Sequence, residues 1–153
     1  MAEADRVEQA SIHASAVLVG PRATLIRGAP GSGKSRLALG LIEAAEAGLL
    51  RFARLVADDR ARVQAVHGRL LVRPAETLAG LIEVRGLGLR RLPFEPIAVV
   101  GLVVDLGAAD AQRLPEPSTA SLAGLVAPRL AVAPGVDPLP IVLAMLASAA
   151  AAA

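Results

Sequence analysis

Apolar and polar positions in the first third of the chain predict a strand, a turn, a second strand and a helix. Residues 16–19 and 23–27 are apolar runs on either side of Gly20-Pro21, as in two strands joined by a turn. From residue 34 to about residue 47, apolar side chains recur at helical spacing, and Gly48 follows as a stop signal. A glycine-rich segment therefore lies between the second strand and the helix.

Further along the chain, apolar runs bounded by turn residues predict five more strands. In chain order they are residues 54–57, which lead into Asp58-Asp59, a hairpin of 63–65 and 69–72 around His67-Gly68, residues 81–85 before a glycine-rich turn, and residues 96–106. The last run is the most apolar and is typical of a sheet centre. Residues 107–117 are predicted to form a loop, and 138–153 a C-terminal helix.

Composition favours one domain with a hydrophobic core, preceded by a flexible lead-in over residues 1–10. The 153 residues are 54% hydrophobic and 20% charged, and cysteine is absent, which excludes disulfides and thiolate-bound metals. The first residues are acidic and no apolar run reaches membrane-spanning length, so we expect a cytoplasmic protein without a membrane segment. A net charge of +2 and only two Phe argue against nucleic-acid binding.

The glycine-rich segment fits the phosphate-loop pattern G-x-x-x-x-G-K-[ST] between a predicted strand and a predicted helix. Backbone N–H groups of such a loop bind phosphate oxygens, its lysine reaches the β- and γ-phosphates, and its hydroxyl binds Mg²⁺. Lys34 is the single lysine among 16 basic residues. The candidate ATP-binding residues are Gly28, Ala29, Pro30, Gly31, Ser32, Gly33, Lys34 and Ser35.

The pattern alone leaves open which carboxylate would serve the metal or the nucleophile. Asp105 ends the most apolar strand, as the aspartate of a Walker B motif does. The Asp58-Asp59 pair also ends an apolar strand. The residues by themselves favour neither position.

Four segments, in order and spacing, resemble the catalytic domain of the HPr kinase/phosphorylase family. They are Ile12-His13, the phosphate loop, Leu55-Val-Ala-Asp-Asp-Arg60 and Ile82-Glu-Val-Arg-Gly-Leu-Gly-Leu89. The resemblance implies an α/β P-loop domain, a mixed β-sheet with flanking helices. It also implies an ATP- and Mg²⁺-dependent kinase that phosphorylates a serine of the phosphocarrier protein HPr and assembles as a homo-oligomer.

The same resemblance implies a role for individual residues. Asp59 would be the general base, with Asp58 in a supporting role. Glu83 would bind Mg²⁺ together with Ser35, and Arg85 lies in the family's signature segment as a supporting residue. Two further catalytic residues are implied, His13 near the phosphates and Arg113 acting on the transferring phosphate.

The sequence also departs from the family pattern. It resembles the short form that lacks an N-terminal domain, and Pro30 and Arg36 replace a usual serine and glutamate. The late Gly-Arg-Asn segment appears as residues 134–137 without its arginine, so we expect kinase activity with weak or absent phosphorylase activity. Two alternatives remain at this stage: a small-molecule P-loop kinase that depends on Asp105, and a non-catalytic nucleotide-binding regulator.

Overall fold

The computed structural model describes residues 9–148, so residues 1–8 of the predicted lead-in and 149–153 of the predicted C-terminal helix lie outside the described part. Within it, strands and helices follow one another in a mixed α/β order. They are β1 (Ala10–Val19), β2 (Arg22–Arg27), α1 (Lys34–Glu46), β3 (Ala53–Ala57), β4 (Arg60–Val66), β5 (Arg69–Pro74), β6 (Leu81–Val84), β7 (Gly88–Arg91), β8 (Ala98–Leu106), β9 (Ser118–Leu122), β10 (Leu125–Val132) and α2 (Pro138–Ala147).

Helix α1 has the bounds that the apolar spacing predicts. Its buried face includes Leu37 and Leu41, and the chain leaves the helix at Gly48, which has a left-handed φ of 82°. The N–H groups of Gly48 and Leu49 return to the carbonyls of Ala45 and Ala44, at 3.0 and 2.8 Å. Glycine adopts this conformation without the steric penalty of a Cβ atom, so the helix ends there.

Most of the strands form one mixed sheet of eight strands. The apolar strand β8 lies at its centre, parallel to β2 and β10 and antiparallel to β5. Because β2 also pairs with β1, β1 with β4 and β4 with β5, five strands form a closed circuit of pairings. Strands β6 and β7 form a separate two-stranded hairpin.

The buried side chains divide into two clusters. One contains strand residues only, and more than half of its buried members are alanine, as expected where few strands enclose a narrow interior. The other packs α1 and α2 against the opposite side of the sheet strands, and it includes Ile82 of β6 and Val142 of α2. Both helices therefore share one cluster, and strands alone fill the other.

The structure adds three strands to those predicted, β7, β9 and β10, and extends β1 back to Ala10. The sequence places Ala10 in the flexible lead-in, whereas in the structure Ala10 pairs with Val63 of β4 and belongs to the sheet. Loop 107–117 and the central position of β8 are confirmed. No helix within residues 9–148 is long and apolar enough to cross a membrane.

Candidate nucleotide-binding site

The glycine-rich loop joins the end of β2 at Arg27 to the start of α1 at Lys34. Gly31 and Gly33 have φ angles of 80° and 98°, a region that residues with a Cβ rarely adopt. A Cβ on Gly28 would overlap Ser32 Oγ. The three glycines thus allow the chain to fold tightly over the N-terminus of α1.

The loop presents hydrogen-bond donors to its interior. Within residues 9–148, the N–H groups of Gly31, Gly33 and Lys34 have no protein acceptor, and Ser32 Oγ is the one buried side-chain polar atom without a partner. Buried polar groups are rarely left unpaired, so these atoms fit a ligand rich in oxygen acceptors. The positive end of the α1 dipole lies at the same place.

Lys34 places the charge of its side chain inside this loop. The residue is only 7% exposed, and its Nζ donates to the carbonyl oxygens of Gly28 at 2.9 Å and Ala29 at 3.1 Å. An ammonium group has three donors, so one remains for a ligand. A buried ammonium without a carboxylate partner favours an anion beside it.

Asp58 at the end of β3 is the carboxylate that the fold brings to the loop. It is 5% exposed and accepts hydrogen bonds from Ser35 Oγ at 2.6 Å, from Ser15 Oγ at 2.8 Å and from the backbone N–H of Glu83 at 3.0 Å. Lys34 and Asp58 are the two buried charged residues of the described chain. The Ser35 hydroxyl and the Asp58 carboxylate are oxygen ligands of the kind that Mg²⁺ prefers.

The next residue, Asp59, faces the other way. Its φ of 64° is left-handed, which aspartate tolerates better than most residues. Its N–H donates to Ser15 Oγ at 3.3 Å and its carbonyl accepts from Ala14 N–H at 3.1 Å. The backbone is thereby fixed to β1, while the side chain of Asp59 is exposed. One aspartate points to the loop and its neighbour to solvent.

The other predicted residues lie at different distances from this centre. His13 is exposed on β1, opposite Arg60 in the pairing with β4. The backbone of Glu83 reaches Asp58, but its side chain is exposed. Arg85 and Arg113 lie in exposed turns and make no ion pair within residues 9–148. The same residues contain no cluster of three His, Asp or Glu side chains able to hold a metal.

Asp105, the alternative carboxylate, is occupied by two arginines. Arg27 binds both of its oxygens, at 2.7 and 2.8 Å, and Arg129 donates to it at 2.5 Å. Arg129 also binds Asp110. Burial alone would raise the pKa of Asp105, but the hydrogen bonds and charges of both arginines outweigh it and hold the pKa below its usual range. Asp105 therefore ties β2, β8 and β10 together.

Sequence reasoning missed Ser15 and the roles of Arg27 and Arg129. Ser15 is fully buried, and a small polar residue within an apolar strand gives little signal. Arg27 directly precedes the glycine loop, yet an isolated arginine at a strand end does not indicate which carboxylate it meets. The pairing of β2 and β10 with β8 brings these side chains together.

Comparison with known proteins identifies a family that this chain matches. The family model for the HPr serine kinase C-terminal domain matches residues 5–92. The HPr kinase/phosphorylase of Streptococcus thermophilus is 42% identical over 83 residues, 54% of this chain and 25% of that protein. That of Clostridium tetani is 41% identical over 69 residues, 45% of this chain and 20% of that protein. The matching segment thus spans a fifth to a quarter of the length of these relatives.

The fold also resembles a solved structure, the Hpr(Ser) kinase/phosphatase from Coxiella burnetii. The TM-score is 0.73 with 23% sequence identity, over 90% of this chain and 93% of that one. The fold and the loop together define an α/β protein with a glycine-rich loop between a strand and a helix. The family match is more specific, and the chain belongs to the HPr serine kinase C-terminal domain family.

Proposed function

We propose that the protein binds ATP and Mg²⁺ and transfers the γ-phosphoryl group to a serine of an HPr-like phosphocarrier protein in the cytoplasm. The observation that carries this proposal is that the two buried charged residues of the described chain, Lys34 and Asp58, both lie at the glycine-rich loop. Lys34 offers a cation to phosphate oxygens, and Asp58 accepts the hydroxyl hydrogen bond of Ser35. The residue that follows Asp58, Asp59, has an exposed carboxylate.

Binding of the nucleotide follows from the donors of the loop. The free N–H groups, the Ser32 hydroxyl and the third N–H of the Lys34 ammonium would donate hydrogen bonds to the phosphate oxygens. Ser35 and Asp58 would hold Mg²⁺. Glu83, whose backbone N–H binds Asp58, would be a further ligand of the ion. Mg²⁺, when bound, would neutralise charge that develops on the β- and γ-oxygens.

In the transfer step, the serine Oγ of the acceptor protein forms a bond to the γ-phosphorus. The bond from that phosphorus to the bridging oxygen breaks, ADP leaves with the electron pair, and the serine proton passes to Asp59. An exposed carboxylate suits an acceptor that arrives from solution, and the reaction requires alignment more than a strong base. His13 and Arg113, both exposed, would be the two further catalytic residues that the family resemblance implies.

The acceptor protein is proposed from family membership. The curated relatives are named HPr kinase/phosphorylase, and the chain corresponds to a part of them. The exposed position of Asp59 is compatible with a protein acceptor because a serine on a folded surface could reach it.

Transfer of labelled γ-phosphate from ATP to purified HPr tests the proposal. We expect label on wild-type HPr, none on HPr whose target serine is alanine, and a loss of at least 10²-fold in rate with Asp59→Asn or Lys34→Ala, consistent with removal of one general-base or charge-stabilising group. Glu46→Gln is the matched control, because Glu46 is an exposed carboxylate at the end of α1 opposite the loop.

The outcomes separate the alternatives. ATP binding without transfer to any HPr would favour a nucleotide-binding regulator. Transfer that persists in Asp59→Asn would exclude Asp59 as the base. Asp105 is bound by two arginines, so its replacement could act through the fold. A small-molecule kinase that depends on Asp105 predicts that Asp105→Asn abolishes turnover while the sheet stays folded.

We also propose that phosphorolysis of the serine product is weak. Residues 134–137 lead into α2 without an arginine, and Asp137 instead caps the helix by accepting the Leu139 N–H at 3.1 Å. Incubation of phosphoserine-HPr with inorganic phosphate should release little pyrophosphate. Release at a rate comparable to the kinase reaction would contradict this part of the proposal.

Self-association is the last element of the proposal. Ile141 and Met145 are 39% and 41% exposed on α2, so this helix offers an apolar surface to a second copy. Light scattering should show an oligomer whose size falls with Ile141→Glu. A monomer at all concentrations would contradict it.

A further inference from the structure

A half-open surface pocket of about 450 Å³ lies away from the glycine loop, on the outer side of β4 and β5. We call it the arginine pocket. Its lining residues are Gln9, Arg62, Arg73, Pro74, Glu76, Ala79, Phe94 and Pro96. Cavities of this volume hold small organic ligands in many proteins.

Two arginines give the arginine pocket its charge. Arg62 and Arg73 are direct partners in the antiparallel pairing of β4 with β5, so their side chains leave the sheet side by side. Like charges placed opposite each other oppose strand pairing unless an anion lies between them. The arrangement therefore needs a counter-charge.

The protein supplies little of that counter-charge. Glu76 lies 3.7 Å from Arg62, but its side chain is 86% exposed, so water screens the pair. Arg73 makes no ion pair with any residue in the described range 9–148. Two cations thus face one loosely held carboxylate.

The other walls of the arginine pocket are apolar. Phe94 contributes an aromatic ring that is 37% exposed, and prolines flank it. The ring is held in place because it fills the space beside Gly80, where a Cβ would lie 2.9 Å from its Cδ1 atom. A ligand could therefore rest an apolar or planar part against Phe94.

We propose that the arginine pocket is a binding site for a small organic anion, separate from the nucleotide loop. Its carboxylate or phosphate group would bind the two guanidinium groups, which present paired donors to such oxygens. Its ring or apolar part would lie on Phe94. This site adds a ligand class that the proposed kinase reaction does not use.

The chain offers a direct reporter for this proposal, since Phe52 and Phe94 are its two phenylalanines and it has no Trp or Tyr. Labelling with 4-fluorophenylalanine gives two ¹⁹F signals, which Phe52→Leu assigns. We expect phenyl phosphate to shift the Phe94 signal saturably and to leave the Phe52 signal in place. Phenol, which has the ring without the charge, should give no saturable shift.

Variants test the role of the arginines. Arg73→Gln and Arg62→Gln should each weaken the phenyl phosphate titration tenfold or more, whereas Arg69→Gln, an exposed arginine of the same strand β5, should not change it. Thermal unfolding shows which variants are folded. If only one of the two arginine variants folds, its titration alone tests the arginine pocket. A shift that does not saturate, that phenol reproduces, or that keeps its affinity in a folded Arg62→Gln or Arg73→Gln variant would overturn the proposal.

Discussion

At the scale of single residues, Ser15 holds the two aspartates in their different orientations. Its hydroxyl donates to Asp58 Oδ1 and accepts from the Asp59 N–H, and it is fully buried. Asp58 needs this donor because its carboxylate is taken out of water beside Ser35. The orientation of both carboxylates thus depends on a residue that carries no reaction chemistry of its own.

Replacing Ser15 by alanine should therefore cost about 1–2 kcal/mol of unfolding free energy, because it removes one hydrogen bond to a buried carboxylate and one acceptor. Urea denaturation measures the loss. Ser11→Ala is the matched control, since Ser11 is an exposed residue of the same strand and makes no side-chain hydrogen bond within residues 9–148. Equal stability of both variants would contradict the role of Ser15.

The sequence indicated the glycine-rich loop by its local pattern, and only the family resemblance favoured Asp58-Asp59 over Asp105. It could not predict that Asp58 contacts Ser35, or that Ser15 binds Asp58, because these contacts join residues 23 and 43 positions apart. Such contacts depend on the pairing of β1 with β3. The roles assigned to the loop residues, to both aspartates and to His13, Glu83, Arg85 and Arg113 all stay predictions.

At the scale of secondary-structure elements, strand prediction failed where the local signals were weak or contradictory. The hairpin of β9 and β10 turns at Ala123-Gly124, both with positive φ, where asparagine or aspartate would have been a clearer signal than alanine. Pro128 within β10 also argues against a strand. It is tolerated because β10 pairs with β8 only from Arg129 onward.

The ion pairs of Asp105 are the main polar link between three strands. Asp105→Asn should cost about 2 kcal/mol at neutral pH, because two arginines lose a charged acceptor. Asp110→Asn should cost less, since that carboxylate is exposed. Denaturation of the three proteins at pH 7 measures the difference, and an equal loss for both variants would contradict the role of Asp105.

The same ion pairs make part of the stability depend on pH. Because the pKa of Asp105 is lower in the folded protein, its contribution is complete above the unfolded-state pKa of about 3.9. It is lost as the pH falls through the folded-state pKa. The stability difference between wild type and Asp105→Asn should therefore shrink below about pH 4. A difference that grows in acid would contradict this sign.

The stability of helix α2 depends on the hydrogen bond and the packing of its first turn. Asp137 accepts the Leu139 N–H, and Leu139 packs against Gly40 of α1, where a Cβ would lie 3.1 Å from its Cδ2 atom. Asp137→Ala should cost about 1 kcal/mol, the usual loss of a helix cap, and Asp137→Asn should recover most of it because asparagine caps equally well. Urea denaturation measures the free energy of unfolding of both variants. If Asp137 acted only as a surface charge, Asp137→Ala and Asp137→Asn would lose the same amount.

At the scale of the whole molecule, the closed circuit of five strands positions the site. The loop follows β2 and Asp58 follows β3, and both strands pair with β1. The pairing of β2 with β8 completes the circuit. This closure brings residues 22–27 and 98–106 together, which no local pattern in the sequence could indicate.

Gly101 of β8 marks a close approach of β8 to β2 in that closure. A Cβ there would lie 2.7 Å from the Cβ of Arg22 in β2, nearer than real side chains come. Gly101→Ala should therefore cost about 1–3 kcal/mol, the usual effect of overpacking, and denaturation measures it. The clash is with the Cβ of Arg22, so adding Arg22→Gly to Gly101→Ala should restore part of the lost stability. Arg22→Gly alone should destabilise the strand by about 1 kcal/mol. Additive losses in the double variant would show that the two strands do not meet at these residues, and the closed circuit would then need revision.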